Sequence, residues 1–404
     1  MFTAITNVRI FDGKRVIEER SVLINGALIE SVGGGDDIPE EAHIFDGYGA
    51  TLLPGLIDSH VHTDMIGLRD ALKFGVTTEL EMMGRWSKKQ RKEISERNDI
   101  ADLRSPGMGI TPRGGHPTEY IDSAASLLIR LFVRFFFPFV KTPKDAVNLI
   151  NKEVAKGADY IKIFIEDGSC IGFPGLPVLS DDILKAAVDS AHRHNKLAII
   201  HVTTAKATER AIDAGADCLG HLFFDRAGTP ELIEKIAQSG VFLIPTLVTL
   251  STAFGNNAKW LASDERVSAR LDKVWLDSLS RSMNTYSQGR LEDAYASIRV
   301  LRDAGVDILA GSDVSEPMSV LGGLAHGASL HHELRLLVAA GLTPIEALRA
   351  ATSTPACRFG LTDRGRITPG ALADLLLVEG NPIANISDTL SIGAVWHRGI
   401  LLQN

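Results

Sequence analysis

The sequence predicts an α/β protein whose central part is a barrel of eight parallel strands, each followed by a helix. Short apolar segments alternate with helical segments between residues 55 and 361. Wholly apolar strands are typical of parallel sheets that are covered on both faces. About eight such units over roughly 300 residues favour a (β/α)8 barrel. An open doubly wound sheet is the alternative, but it more often carries a glycine-rich phosphate-binding turn after its first strand, and we find none.

The predicted strands and helices of this central part follow from local patterns. The continuous apolar runs that predict strands lie at 75–83, 160–165, 197–201, 218–223, 241–245 and 306–310. Three helices begin at Thr-Pro pairs, which suit the first positions of a helix. Gly157 and Gly240 end the first two of these helices, and Glu346 is placed for a capping box in the third.

Both ends of the chain are predicted to be rich in β-strands. The apolar runs near the N-terminus are separated by Asp12-Gly13 and Asn25-Gly26, which favour hairpins. Similar short apolar runs lie at 373–378 and 392–396. Because chain termini often lie close together, we expect residues 1–54 and 362–404 to form one small sheet domain beside a barrel of residues 55–361.

Composition excludes several classes of function. The 404 residues are 45% apolar and 23% charged, as in a globular protein with a large core. The net charge of −8 argues against nucleic acid as a partner, because phosphate binding needs a basic surface. The three cysteines, Cys170, Cys218 and Cys357, suit neither a disulfide framework nor a cysteine-based zinc site. With no signal-peptide core at the N-terminus, a cytoplasmic location is expected.

One segment, residues 127–140, is strongly apolar without being a predicted membrane span. It carries Arg130, Arg134 and Pro138, and it is shorter than the roughly 20 residues that a helix needs to cross a bilayer. Within it, residues 132–139 form either a lid over an apolar substrate or a surface for oligomer contacts or ordinary packing.

Residues suited to binding metal occur at or beside the predicted strands. His60 and His62 are two residues apart, so on a strand both side chains point the same way. Lys162 lies in the middle of an apolar strand, where a charge is unfavourable unless it is neutralised or paired.

Three further residues follow apolar strands. His201 and His221 end consecutive strands, and Asp313 follows a later one. Any of these histidines alone is more often a hydrogen-bonded core residue, and Asp313 alone suits a helix cap. Together they lie at the carboxyl ends of barrel strands, where barrel enzymes have their active sites. Neutral imidazoles and carboxylates suit zinc and related metals.

In these residues and the segments around them, the sequence resembles the amidohydrolase superfamily, in particular its imidazolonepropionase-like and prolidase-like branch. The matching segments extend over nearly the whole chain, at 53–62, 75–78, 157–163, 311–313, 347–352 and 365–375. The resemblance implies a (β/α)8 TIM barrel with a small β-sandwich that is formed by the N- and C-terminal segments.

The resemblance also implies a centre of two divalent metal ions, with zinc as the expected metal. The more buried ion would be held by His60, His62 and Asp313, and the second ion by His201 and His221. Lys162, carrying CO2 as a carbamate, would bridge the two ions.

A hydroxide between the two ions would attack the substrate carbonyl, and Asp313 would pass a proton to the leaving group. His116 lies where relatives carry a Gly-Gly-His segment, and it is predicted to contact the substrate. His326, near the loop after Asp313, is a further candidate for the pocket.

The expected reaction is hydrolysis of a C–N bond in a small amide, carbamate or N-acyl amino acid. Hydrolysis of an ester or lactone at the same site stays open. Lys162 argues against a deaminase, and the complete ligand set argues against a non-catalytic barrel. The run Val202-Thr203-Thr204 lacks the tyrosine that dipeptidase-like relatives have after this histidine, which argues against recognition of a free α-carboxylate. A homo-oligomer is expected by analogy.

Overall fold

The computed structural model describes residues 2–34, 38–120, 137–318 and 320–403. Most of the apolar segment 127–140, including residues 132–136 of the predicted lid, therefore lies outside the described residues. The strands, labelled β1 to β15, span Phe2–Phe11, Val16–Asn25, Leu28–Gly33, His43–Asp46, Thr51–Pro54, Leu56–Val61, Val76–Glu81, Asp102–Arg104, Ile161–Phe164, Ala198–His201, Cys218–Gly220, Phe242–Ile244, Leu375–Val378, Ile392–His397 and Ile400–Leu401.

Helices alternate with the central strands and cover much of the rest of the chain. They span Met65–Leu72, Lys88–Glu96, Pro143–Lys156, Asp181–Arg193, Ala205–Ala214, Pro230–Ser239, Leu247–Ala253, Lys259–Ala262, Glu265–Ser268, Lys273–Leu279, Leu291–Asp303, Ala328–Ala339, Pro344–Ala350 and Ser353–Arg358. Among the described residues, none of these helices combines the length and apolar character that a bilayer span requires.

The helix boundaries confirm the caps that the sequence predicts. Thr142 and Asp145 form a capping box at the start of helix Pro143–Lys156, and Gly157 ends this helix in a left-handed conformation with φ of 101°. Thr343 and Glu346 form the predicted capping box of helix Pro344–Ala350. These caps satisfy backbone groups that a helix end leaves without partners.

The central strands pair in parallel and form two ladders. One has the order β6-β7-β8 and the other the order β12-β11-β10-β9. Isolated parallel bridges extend these ladders, from Ile110 to Ile163, from Leu243 to Ile308 and from Val61 to Val314. Because the pairing is parallel throughout, the carboxyl ends of these strands share one side of the central layer.

Residues 306–310, predicted as a strand, form only a short bridge in the structure. The backbone N–H of Leu309 donates to Leu243, and that of Ser59 donates to Ala310. This segment is therefore hydrogen-bonded on both sides, between β12 and β6, although its regular pairing is too short to count as a strand.

Both chain ends contribute to one mixed sheet. Its order is β15-β14-β13-β5-β1-β2-β3, and β4 pairs with β1. The antiparallel pairing of β5 with β13 joins the N-terminal and C-terminal segments directly. A separate apolar core supports this sheet, in which the buried Trp396 ring packs edge-on against Phe45 at 4.9 Å.

Candidate metal centre

The structure brings the six residues predicted as metal ligands to the carboxyl-end side of the parallel strands. His60 and His201 lie at the ends of β6 and β10, and His221 directly follows β11. Lys162 lies inside β9. Asp313 follows the segment that bridges β12 and β6, and its backbone N–H donates to the His60 carbonyl at 2.6 Å.

The first group consists of two histidines that converge on one carboxylate. The Nε2 atoms of His60 and His62 lie 3.4 and 3.5 Å from Oδ1 of Asp313. One ligand atom from each of these three residues lies within 4.8 Å of the other two. The alternation of side chains along a strand explains why both histidines face the same point.

The second group joins the first through His221. Its Nε2 lies 4.0 Å from Oδ2 of Asp313, and its ring centroid lies 4.5 Å from those of both His60 and His201. The ring of His116 lies a further 4.4 Å from that of His201. The four imidazole rings thus form a continuous row that begins at the buried His60 and ends at His116, the residue predicted to contact the substrate.

Lys162 is fully buried, and within the described part of the chain its Nζ has no hydrogen-bond partner. A side-chain carbon added to Gly220 would lie 2.8 Å from this Nζ and 3.5 Å from Cε1 of His60. The ammonium group therefore occupies space that only a glycine on β11 leaves open. Burial lowers the pKa of Lys162 to about 8, and the nearby Asp313 carboxylate opposes this shift.

The histidines of the site are held in their neutral form. Burial lowers the pKa of His60, His201 and His221 well below the usual value, and the charge of Lys162 lowers it further. The pKa of His62 falls to about 3 for the same two reasons. The neutral imidazole is the form that binds a metal ion.

Two partners of these histidines were not singled out from the sequence. Thr246 Oγ1 lies 2.6 Å from Nδ1 of His221, and Oε2 of Glu166 lies 3.2 Å from Nε2 of His201. Because Thr246 engages Nδ1 of His221, the Nε2 of this ring faces Asp313. Because Glu166 engages Nε2 of His201, Nδ1 is the nitrogen of this ring that could bind a metal ion. Partners of this kind fix the orientation and tautomer of a ligating histidine. Glu166 and Thr246 each come two residues after a strand, a position that would have suggested them.

His116 lies beside the cluster, as its predicted role requires. Its Nδ1 is 2.5 Å from Oε1 of Glu119, which is also buried, and Thr111 Oγ1 donates to its carbonyl at 2.7 Å. The prediction for His326 is wrong. Its ring is held by Glu79, at 3.1 Å from Nδ1, and packs against Trp275, so that it does not reach the cavity.

A cavity of about 620 Å³ opens beside the cluster. The residues at its polar end are His62, His116, His201, His221 and Asp313. The rest of its wall is mainly apolar and aromatic. A largely apolar cavity with a few convergent polar groups is the usual form of a small-molecule site.

These features define an α/β enzyme with a candidate metal centre at the carboxyl ends of parallel strands. The chain belongs to the amidohydrolase family, whose profile matches residues 51–400. The resemblance seen in the sequence is therefore confirmed, as is the prediction of a hydrolase that acts on carbon–nitrogen bonds.

Similar proteins agree with this assignment over almost the full chain. Ochratoxinase of Aspergillus niger is 23% identical, with 96% of this chain and 83% of that protein covered. Imidazolonepropionase of Deinococcus radiodurans is 24% identical, with 94% and 90% covered. The structure of molinate hydrolase superposes with a TM-score of 0.79 at 21% identity, covering 100% of this chain and 94% of that one, which shows a shared fold.

Proposed function

We propose that the protein is a binuclear metal-dependent hydrolase that cleaves the C–N bond of a small amide or carbamate. The observation that carries this proposal is Lys162, a fully buried amine without a hydrogen-bond partner among the described residues. An isolated buried ammonium is strongly unfavourable. Reaction of the neutral amine with CO2 gives a carbamate, which replaces the buried cation with an anion that suits two metal cations.

The donor set fits two divalent ions of the zinc type. His60, His62 and Asp313 would hold the first ion, and His201 and His221 the second, with the Lys162 carbamate shared between them. Neutral imidazoles and carboxylates are the ligands that zinc prefers. When bound, such ions lower the pKa of water and polarise a carbonyl oxygen.

The chain's own residues would orient the substrate and move the proton. Asp313 would accept a proton from the attacking water and deliver it to the leaving nitrogen, as a C–O bond forms and the C–N bond breaks. Its Oδ1 lies 3.4 and 3.5 Å from Nε2 of His60 and His62, so this carboxylate would be next to the attacking water. His116, held by Glu119, would contact the substrate beside the reacting carbonyl.

The architecture that accompanies this function is also proposed. The two parallel ladders and their bridges are consistent with a closed barrel of residues 55–361. The shared sheet of both chain ends is consistent with a β-sandwich of residues 1–54 and 362–404. A homo-oligomer and a cytoplasmic location stay predictions.

Metal content of Lys162→Ala tests the proposed centre. Protein purified without chelator should contain on the order of two ions per chain, and the variant should contain far less. Hydrolysis should fall at least about 10²–10³-fold, in line with the loss of an electrostatic stabiliser of the transition state. Carbon-13 bicarbonate should give a carbamate resonance in the wild type and none in Lys162→Ala.

The matched control is Lys185→Ala, which removes an exposed lysine from helix Asp181–Arg193. It should keep the metal content, the carbamate resonance and the activity. The binuclear centre would be contradicted if folded wild-type protein contained one metal ion per chain or none, and if Lys162→Ala had the same metal content. A panel of amides, carbamates, esters and lactones then assigns the bond that is cleaved.

A further inference from the structure

The cavity wall away from the metal ligands is built around a fixed aromatic ring. Phe224 lines the cavity, and it packs edge-on against Phe254 at 5.5 Å and against Tyr286 at 5.3 Å. Two supporting rings leave Phe224 little freedom to turn away from a ligand. Met283 and Met318 line the same cavity, and methionine side chains adapt to irregular apolar shapes.

A second aromatic wall lies next to His116. The ring of Tyr120 lines the cavity, 5.8 Å from the ring of His116 and 5.7 Å from that of Phe173. A ring or branched chain attached near the reacting carbonyl would thus meet aromatic surface directly. The cavity volume of about 620 Å³ is within the usual range for drug-sized ligands, so it exceeds the needs of a small polar amide.

The charged side chains that line the cavity do not favour a substrate with a carboxylate. Apart from Asp313, the described charged side chains that line the cavity are Asp64, Glu81, Glu316 and Arg85. Asp64 accepts the N–H groups of Ile66 and Gly67 at the start of a helix. Burial raises the pKa of Glu81 to about 8, so Asp64 and Glu316 supply the negative charge along this part of the cavity. Two carboxylates thus face a single arginine beyond the metal ligands.

The position just after His201 is closed to a carboxylate as well. Thr203 lines the cavity, but its hydroxyl donates to Glu166. Glu166 is buried, and it also accepts the N–H of Gly168 at 2.6 Å. A substrate carboxylate at Thr203 would find its hydroxyl already used and a buried carboxylate directly behind it.

We propose that this cavity selects a neutral amide or carbamate with a bulky apolar or aromatic group and discriminates against substrates with a free carboxylate. The inference rests on the proposed function, since it names the substrate class of the same site. The apolar group would lie against Phe224 and the methionines, with the scissile carbonyl at the histidine end of the cavity.

Two probes that differ by one carboxylate test the selectivity: N-benzoyl-phenethylamine and N-benzoyl-phenylalanine. The metal-loaded protein should hydrolyse the neutral probe with kcat/KM at least about tenfold higher, the scale on which apolar pockets discriminate. Binding of the neutral probe to metal-free protein should change tryptophan fluorescence, because Trp86 lines the cavity. The carboxylate probe should cause a smaller change.

Filling the cavity tests where the apolar group lies. Ala253 lines the cavity at the end of helix Leu247–Ala253, and Ala253→Phe should weaken binding of the neutral probe about tenfold or more. The matched control is Ala269→Phe at an exposed position, which should bind as the wild type does. If Ala253→Phe does not fold, Met283→Phe provides the same test from another part of the wall.

The inference would be overturned, and the proposed function left intact, if the protein hydrolysed the carboxylate probe as fast as the neutral probe or faster. Loss of that activity in Arg85→Met would identify this arginine as the group that binds the carboxylate. Unchanged binding of the neutral probe to folded Ala253→Phe and Met283→Phe would also overturn it. Failure of the metal-loaded protein to hydrolyse any amide or carbamate, despite binding of the neutral probe, would instead reject the proposed function.

Discussion

Two clusters of buried charged side chains differ in how their charges are paired. At the candidate metal centre, Lys162 has no hydrogen-bond partner among the described residues, and the histidines beside it are neutral. Where the C-terminal segment meets the start of β8, Arg364 donates to Asp102 at 2.6 Å and to Thr78 at 2.9 Å. Arg398 also donates to Asp102.

The difference separates a cluster whose charges pair within the chain from one whose side chains suit a metal ion. Arg364 and Asp102 are 3% and 2% exposed, yet their charges and hydrogen-bonding groups are matched within the chain. At the candidate metal centre, His60 is equally buried, whereas His62 and Asp313 are partly exposed, and the ligand atoms of these three residues converge within 4.8 Å of one another. Burial alone therefore does not distinguish a functional cluster, whereas several side chains of metal-binding type that converge on one point indicate one.

The largest effect that should separate the clusters is on stability. Arg364→Met removes a buried partner of Asp102 and should lower the free energy of unfolding by about 3 kcal/mol, as for other broken buried ion pairs. Metal content of the folded fraction should not change. Chemical denaturation together with metal analysis measures both quantities.

Arg366→Met is the control, because this arginine is exposed and lies two residues further along the chain. It should change the stability by less than about 0.5 kcal/mol. Loss of metal from folded Arg364→Met would show that the two clusters are coupled and do not act independently.

Metal removal should affect only the other cluster. Chelation should lower the free energy of unfolding by roughly 2.7 kcal/mol if free metal had been at about 100 times its dissociation constant. The same treatment should leave Lys162→Ala almost unchanged, since that variant lacks the shared ligand. Thermal unfolding with and without chelator is the measurement. An equal loss of stability in both proteins would place the metal elsewhere.

The smallest expected effect concerns the partner of one ligand. Thr246→Val removes the hydroxyl that lies 2.6 Å from Nδ1 of His221 and should weaken metal binding about 10–100-fold, or roughly 1.4–2.8 kcal/mol. Thr389→Val is the control, because it removes an equally buried hydroxyl that donates to the Ile386 carbonyl at 2.9 Å, away from the candidate ligands. Competition with a metal indicator measures affinity, and equal losses in both variants would refute a positioning role.

Local patterns along the chain predicted much of the fold. The apolar runs gave the central strands to within a few residues, as at Ile161–Phe164 and Ala198–His201. The Thr-Pro pairs and glycines gave the helix ends, because caps depend on neighbouring residues. Residues 306–310 were less regular than predicted, because the segment forms one bridge, from Ile308 to Leu243, and one hydrogen bond with Ser59 on its other side.

The candidate site was predicted less completely. His60, His62 and Asp313 were found because each lies at the end of an apolar strand, and they converge within 4.8 Å. His326 was wrongly placed in the pocket, because nothing local indicates that Glu79 and Trp275 hold its ring. Hydrogen bonds between residues far apart in the sequence leave no local pattern.

The sequence by itself determined the class of the fold, the family and the chemical types of the candidate ligands, because these follow from periodicity and from the order of residues along the chain. The tertiary structure decided which nitrogen of His201 and His221 faces the site, through Glu166 and Thr246. It also decided the apolar form of the cavity around Phe224. Both depend on contacts among strands and loops that meet only when the chain folds.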